Sequence, residues 1–210
     1  MVNKEQRIGV FVDVQNLYYS GKNLYNAKVN FANVLKEVTK GRKLVRAIAY
    51  VIKTEAMTEK TFFDALEKIG YEIKAKDLQI FYGGHKKGDW DVGIAMDIIE
   101  MAPKLDVVVL CSGDGDFVPL MLHAQSAGCK IEACSFGRSA SSKLKETVSE
   151  FIDLDKEKNK FLIKSNRPHM KSRASGKNVS KTASKPAEKT EPKPAAKTAS
   201  KPDAKTEAKK

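Results

Sequence analysis

The chain has 210 residues and a formal net charge of +12 at pH 7, but this charge is confined to one part of it. Residues 1–155 hold 21 basic and 21 acidic side chains, whereas residues 156–210 hold 17 and 5. The first 155 residues suffice for one ordinary domain with a real core, and a nucleic-acid-binding surface can be argued from charge only for the tail.

Neither export nor membrane insertion is expected for this chain. A five-residue apolar stretch follows the charged N-terminus, and it is too short for the central region of a signal peptide. The longest strongly apolar run, Val107–Cys111, is far below the roughly 20 residues of a membrane-spanning helix. An odd number of cysteines without paired spacing suits a reducing compartment. We therefore expect a soluble cytoplasmic protein that makes no membrane contact.

From Arg7 to Asp155, short β-branched runs alternate with amphipathic stretches, which is typical of an α/β sandwich around a mostly parallel sheet. The predicted strands are Ile8–Val12, Leu44–Ile52, Tyr71–Lys74, Val107–Cys111 and Lys130–Phe136, with a further short strand within 79–87 and an edge strand at Phe151–Leu154. The predicted helices are Phe31–Thr39, one from Thr58 to the stop signal Gly70, Asp89–Ala102, one that Asp116 caps and Gly128 closes, and Ser141–Glu150.

The tail has a different composition. The segment KTASKPAEKTEPKPAA at 181–196 is echoed by KTASKPDAKTEAKK at 197–210. These repeats are rich in Lys, Ala, Thr and Pro and contain no aromatic residue, so they have too little apolar surface to offset the entropy of ordering. We predict a disordered tail, which either only solvates the protein or binds nucleic acid nonspecifically through its charge.

Acidic residues follow two predicted strands and open one predicted helix. They are Asp13 in VFVDVQN, Asp114 and Asp116 in VVVLCSGDGDF, and Asp89 and Asp91 in KKGDWDVGIAMD. An open parallel sheet binds ligands outside the carboxyl ends of its strands, where the strand order reverses. Carboxylates that meet there repel one another unless a cation lies between them, and Mg²⁺ or Mn²⁺ is the natural occupant.

Each acidic cluster also has a structural explanation. Acids before helices can act as N-caps or complement the helix macrodipole, and Asp13 or Asn16 can stabilise a turn. The metal site is favoured because the three clusters occur together, with Gly113 and Gly115 allowing close approach of the backbone.

Three motifs, FVDVQNL, KGDWDVGIAMD and SGDGDFVPL, stand in this order over roughly 150 residues. Together they resemble the NYN domain of the PIN-like nuclease superfamily, specifically its bacterial LabA-like members. The resemblance covers the first 155 residues and none of the tail. It implies a PIN-like three-layer fold with a parallel sheet of about five strands, and a ribonuclease that hydrolyses RNA with Mg²⁺ or Mn²⁺.

Carried over to this chain, the resemblance assigns five site residues. Asp13, Asp91, Asp114 and Asp116 match the family's acidic metal-site positions, and Asn16 matches the asparagine that accompanies the first acid. In this interpretation Asp13, Asp114 and Asp116 are the core ligands, and Asp91 binds directly or through water. Asn16 orients metal, water or substrate, and the metal activates the attacking water.

Other residues near these motifs have two possible roles. Lys86 and Lys87 hold a substrate phosphate or lie in a solvated loop, and the roles of Asp89 and Asp97 are left open. His85 can move a proton or is simply exposed. Ser112 is expected to support the carboxylates by hydrogen bonding, and His123 is expected to pack. Trp90 and Tyr82 either stack on an unpaired base or pack in the core or at the rim.

The same motifs disfavour several other enzyme classes. A haloacid-dehalogenase-type phosphatase needs a second Asp two positions after the first, where this chain has Gln15. The chain also has neither the P-loop motif nor the dinucleotide-binding glycine motif. The remaining alternative is a PIN-like domain that binds RNA or a protein and regulates without cutting. The expected nucleic acid is single-stranded RNA, and the oligomeric state, a homodimer included, is open.

Overall fold

The structure is a computed structural model that describes residues 3–53, 58–77, 79–80, 86–87 and 89–164, with the side chains of residues 58, 59, 79, 80, 86, 87 and 164 left undescribed. The predicted disorder of the repeats at 181–210 lies outside the described residues. Among the residues that are described, no helix is long and apolar enough to cross a membrane.

Strands and helices alternate along most of the described chain. The strands are β1 Arg7–Asp13, β2 Ala27–Val29, β3 Lys43–Lys53, β4 Glu72–Asp77, β5 Gln79–Ile80, β6 Lys86–Lys87, β7 Val107–Cys111, β8 Lys130–Ser135, β9 Glu150–Asp153 and β10 Leu162–Lys164. The helices are α1 Val14–Tyr25, α2 Phe31–Thr39, α3 Thr58–Ile69, α4 Asp91–Met101, α5 Val118–Ser126, α6 Ser142–Thr147 and α7 Lys158–Phe161, with 3-10 turns at Ala102–Lys104 and Gly115–Phe117.

Six strands form one central sheet in the order β4-β3-β1-β7-β8-β9, and every pairing in it is parallel. The chain first builds outward from β1 through β3 to β4, and then crosses to the other side of β1 to add β7, β8 and β9. The strand order therefore reverses between β1 and β7, which are direct neighbours. Two short antiparallel pairs, β2 with β10 and β5 with β6, lie outside this sheet.

The central sheet is buried on both faces, which makes three layers. Helices α1, α2 and α3 pack on one face, and α4, α5 and α6 pack on the other. Because side chains alternate along a strand, Val10 and Val12 of β1 enter the first core while Phe11 between them enters the second. The predicted α/β sandwich with a mostly parallel sheet is confirmed, with six strands where the resemblance implied about five.

Two predicted helix boundaries are wrong. Asp116 does not cap a helix: Asp114 accepts a hydrogen bond from the Asp116 backbone N–H at 2.9 Å and caps the 3-10 turn instead. The last predicted helix, expected to reach Glu150, ends at Thr147. It stops there because the Ser149 N–H donates to Ile131 O of β8 at 2.8 Å and brings the chain into the sheet.

Residues beyond Asp155 also contribute to the folded structure. Phe161 at the end of α7 is only 2% exposed and packs in the first core. The Asn30 N–H donates to Phe161 O at 2.8 Å, and β10 then pairs with β2. The described structure thus extends through Lys164.

Candidate active site

The candidate site lies at the edge of the sheet where β1 and β7 end. Asp13 is the last residue of β1, and the loop from Ser112 to Asp116 follows β7 directly. Parallel neighbours end at the same edge, and the reversal of strand order between them opens a crevice there. The topology therefore brings two of the three acidic motifs together.

Asp13 is held in place by the start of α1. It is the N-cap of that helix, and its Oδ1 accepts a hydrogen bond from the Asn16 N–H at 3.0 Å. The Ser112 hydroxyl donates to its other oxygen at 3.3 Å. One half-buried carboxylate therefore joins the end of β1, the first turn of α1 and the loop after β7, which agrees with the supporting role expected for Ser112.

Asn16 connects α1 to the acidic loop from the other direction. Its Oδ1 accepts a hydrogen bond from the Gly113 N–H at 2.9 Å. Within the loop, the Asp114 N–H donates to the Ser112 hydroxyl at 3.2 Å. The side-chain oxygen of Asn16 is thus engaged by the protein.

The acidic loop packs closely against the segment after β8. A Cβ at Gly113 would lie 2.9 Å from Ser135 Oγ and 3.0 Å from Ala140 Cα, so only glycine fits without displacing backbone. The Ser141 N–H also donates to Gly113 O at 2.9 Å. These contacts fix the loop that carries Asp114.

The carboxylates influence one another electrostatically. The pKa of Asp13 is raised to about 6, mainly by burial and also by the charges of Asp91 and Asp114, against the lowering effect of the Asn16 N–H and the Ser112 hydroxyl. Residues from the start of α4, the end of β1 and the loop after β7 therefore contribute to one anionic region.

The pKa of Asp91 is also raised, first by desolvation and then by three neighbouring carboxylates, those of Asp89, Asp114 and Asp116. Lys76 lowers it. All four acids that the resemblance assigned to the metal site are thus electrostatic neighbours in the structure.

The donor set suits a hard divalent cation, because Mg²⁺ and Mn²⁺ prefer carboxylate oxygens. Burial first, and then the charges of neighbouring acids, raise the pKa of two of these carboxylates. The acidic side chains, however, lie further apart than the ligands of one bound metal ion. Among the described His, Cys, Asp and Glu side chains, no three are placed closely enough to hold one metal ion together.

Lys76 is a site residue that sequence reasoning missed. Its ammonium lies 4.1 Å from the centroid of the Trp90 ring and donates to Asp89 O at 3.4 Å. The signal was the alternation in EIKAKD, which puts Lys74 and Lys76 on one face of β4. What the sequence could not show is that α4 starts beside this face.

Trp90 is held by packing on several sides. Its indole N–H donates to Val51 O at 2.8 Å, and its ring centroid lies 5.3 Å from that of Tyr50. With Lys76 over the ring, the half-buried indole supports the start of α4, in line with the packing role rather than with stacking on a base.

Asp97 ties α4 to the sheet. The Tyr50 hydroxyl donates to its carboxylate at 2.6 Å, and the Lys74 ammonium donates to both oxygens at 2.7 Å. This carboxylate is therefore neutralised by its own partners, which gives Asp97 a structural role.

The remaining predicted residues have simpler outcomes. His123 is exposed on α5, so the expectation that it packs is wrong. Lys86 and Lys87 form β6, whose backbone pairs with β5, while the predictions for their side chains, and for His85 and Tyr82, lie outside the described residues.

Comparison with known proteins agrees with this geometry. The NYN domain family matches residues 7–155. The low amplitude and bright protein LabA of Synechococcus elongatus is 25% identical over an alignment of 179 residues that covers 80% of this chain and 94% of LabA. A solved structure of a protein of unknown function from Vibrio parahaemolyticus is 32% identical with a TM-score of 0.70, over 78% of this chain and 99% of the other. The family match spans β1, the acidic loop and the start of α4, and the chain belongs to the NYN domain family.

Proposed function

We propose that the protein is a divalent-metal-dependent ribonuclease that hydrolyses phosphodiester bonds of single-stranded RNA at the edge of the sheet formed by β1 and β7. The observation that carries this proposal is the convergence of acidic motifs at that edge: the Ser112 hydroxyl, in the loop after β7, donates to Asp13 at the end of β1 at 3.3 Å. Besides burial, which has the largest effect, the charges of Asp91 and Asp114 raise the pKa of Asp13, although they come from different elements. Carboxylates with a perturbed pKa in a cleft are typical of functional sites.

In this proposal Asp13, Asp91, Asp114 and Asp116 hold Mg²⁺ or Mn²⁺. A bound ion of this kind neutralises charge on the phosphate oxygens and lowers the pKa of a coordinated water. Ser112 keeps Asp13 oriented through its 3.3 Å hydrogen bond. No covalent nucleophile from the protein is needed for this hydrolysis.

Asn16 and Lys76 act on the substrate. Asn16 Oδ1 already accepts from the Gly113 N–H, so in this proposal its amide N–H groups are the donors for a phosphate oxygen. The Lys76 ammonium stands near Asp91, whose pKa it lowers, and it provides a cation for a phosphate approaching an otherwise acidic site. Phosphate contacts of this kind position the nucleic acid and carry no sequence information.

The proposal is tested by cleavage of labelled single-stranded RNA with Mn²⁺, with Mg²⁺ and with EDTA. Asp114→Asn should lower the rate by at least about 100-fold, since it removes a ligand charge, while the amide oxygen can still accept from the Asp116 N–H. Glu100→Gln, an exposed change at the far end of α4, should cleave like the unchanged protein. Equal cleavage by Asp114→Asn would show that a contaminating nuclease is responsible.

A second candidate is a regulatory module that binds RNA or a protein without cutting. It is favoured by the spacing of the described acids, no three of which are placed to share a metal ion. Thermal unfolding separates the two candidates, because a ligand that binds only the folded state raises the melting temperature. The nuclease proposal requires an increase with Mn²⁺ that Asp13→Asn removes, and a binding module requires none.

A further inference from the structure

A groove of about 520 Å³ lies between α1 and α3, beside the end of β3. Its walls are mainly aromatic and aliphatic, with Tyr18 and Tyr19 from α1 and Phe62 and Phe63 from α3. Tyr18 is 38% exposed and Tyr19 is 52% exposed. Large rings with this much exposure beside a groove are typical of a surface that binds something.

The charged residues that line the groove have one sign. Its described lining includes two lysines, Lys22 and Lys28, and no acidic residue. Both lysines are exposed, and within the described part of the chain neither makes an ion pair; Lys22 has only the Tyr18 ring at 5.8 Å. An occupant with a flat apolar part and a negative charge would match these walls.

Helix α1 connects the groove to the acidic site. Gln15, Tyr19 and Lys22 line the groove and stand at i, i+4 and i+7, so they share one face of the helix. Asn16, one residue after Gln15, is bonded to the acidic loop instead. The two sites therefore lie on either side of the first turn of one helix.

We propose that this groove binds a nucleotide of single-stranded RNA that extends from the acidic site, with the base against the Tyr18 and Tyr19 rings and phosphates at Lys22 and Lys28. This inference rests on the RNA-directed function proposed above. Every base has a face that stacks on aromatic rings, and the phosphates of the RNA backbone supply the negative charge that pairs with the two lysines.

The end of the described chain favours RNA over an apolar peptide. Ile163 of β10 lines the groove, and the described residues end one position later, at Lys164. The basic remainder of the sequence follows from there. A cationic segment attached beside the groove raises the local attraction for a polyanion and offers nothing to an apolar partner.

The first test uses full-length protein carrying Asp114→Asn, so that RNA binds without being cut, and fluorescence anisotropy of a labelled single-stranded RNA. Adding Tyr18→Ala and Tyr19→Ala together should weaken affinity at least about fivefold, because stacked rings are lost. The matched pair Tyr18→Phe and Tyr19→Phe keeps both rings and should change affinity less than about twofold.

The second test is the salt dependence of the same affinity. Lys22→Gln with Lys28→Gln should make the slope of log affinity against log salt shallower by about 1.4, since each phosphate contact to a single strand contributes roughly 0.7. Lys104 is an exposed residue just before the start of β7, at the opposite end of the parallel strands from the groove. Lys104→Gln should leave the slope unchanged.

The outcomes distinguish this inference from the function on which it rests. If RNA binds the Asp114→Asn protein and both the ring and lysine variants leave affinity and slope unchanged, the groove belongs to another ligand, such as an apolar peptide, and the inference is overturned. If the unchanged protein neither binds nor cleaves RNA, the proposed function itself fails, and the groove proposal fails with it.

Discussion

Asp13 serves two demands that oppose each other. As the N-cap of α1 it needs an oxygen acceptor, which any Asn or Asp supplies. As a half-buried carboxylate near Asp91 and Asp114 it has a pKa raised to about 6, so its ionisation destabilises the folded state at neutral pH. Residues kept for function often carry such a cost in stability.

We predict that Asp13→Asn unfolds at higher denaturant than the unchanged protein at pH 7 in EDTA, by on the order of 1–3 kcal/mol. Asn retains the acceptor for the Asn16 N–H and removes the charge. The folded protein binds more protons than the unfolded chain between the usual Asp pKa near 4 and about 6, so stability should fall as pH rises through this window. The variant should lack that fall in urea titrations at pH 4.5, 5.5 and 7.

Two comparisons complete this experiment. Asp13→Ala removes both charge and cap, so it should be less stable than Asp13→Asn by about 1 kcal/mol. Asp64→Asn, an exposed change on α3, should alter stability by less than about 0.5 kcal/mol. A lower stability of Asp13→Asn in EDTA at pH 7 would mean that its charge is already compensated in the folded protein.

At the scale of elements, the last helix and strand of the described residues, α7 and β10, add contacts to the fold beyond Asp155. Phe161 is buried in the first core, and Asn33 donates from its side chain to Lys160 O at 2.6 Å. A chain that stops at Asp155 loses these contacts and leaves β2 without its partner β10.

We predict that a chain ending at Asp155 is less stable than one ending at Lys164 by at least about 3 kcal/mol, the usual cost of removing a buried Phe. The chain ending at Lys164 should unfold like the full-length protein in thermal and denaturant melts. Phe161→Ala in the full chain is the matched point change and should cost about 3–5 kcal/mol. Equal stability of the two truncated chains would place the boundary at Asp155, as the sequence predicts.

Local patterns predicted the strands of the sheet better than its accessory elements. The continuous apolar run of β7 identifies a buried strand by itself. Helix α1 was not predicted because Ser20 and Gly21 interrupt its apolar spacing. Gly21 is needed in the structure, since a Cβ there would lie 2.9 Å from a Val29 methyl. Among the described strands, β2 pairs with β10 alone, which lies far along the chain, so no local sequence signal predicts it.

The acids of the site were identified from two strand ends and one helix start, whereas their neighbours depend on strand order. The sequence left the role of Asp97 open, although it shares a motif with Asp91. Its partners Tyr50 and Lys74 lie on β3 and β4, and only the crossing of α4 over these strands brings the three together. The same crossing places Lys76 near Asp91, which explains why the sequence suggested the acids and not the lysine.

At the scale of the whole molecule, charge is divided between a neutral domain and a basic tail. Residues 1–155 carry equal numbers of basic and acidic side chains, so the domain itself gives little long-range attraction for RNA. The tail residues after Lys164 carry most of the basic excess. If they contact RNA, most of the salt dependence of binding should come from them.

We predict that a chain ending at Lys164 binds single-stranded RNA with a salt slope shallower than that of the full-length protein by at least about 2, equivalent to three or more lost phosphate contacts. The increase in its melting temperature with Mn²⁺ should equal that of the full-length protein. A full-length protein in which the order of residues 165–210 is scrambled should keep the original slope, because the tail acts through charge alone. An unchanged slope after deletion of the tail would contradict this prediction and leave the tail only a solubilising role. Combining the deletion with Lys22→Gln and Lys28→Gln should add the two slope changes, since groove and tail contact different phosphates.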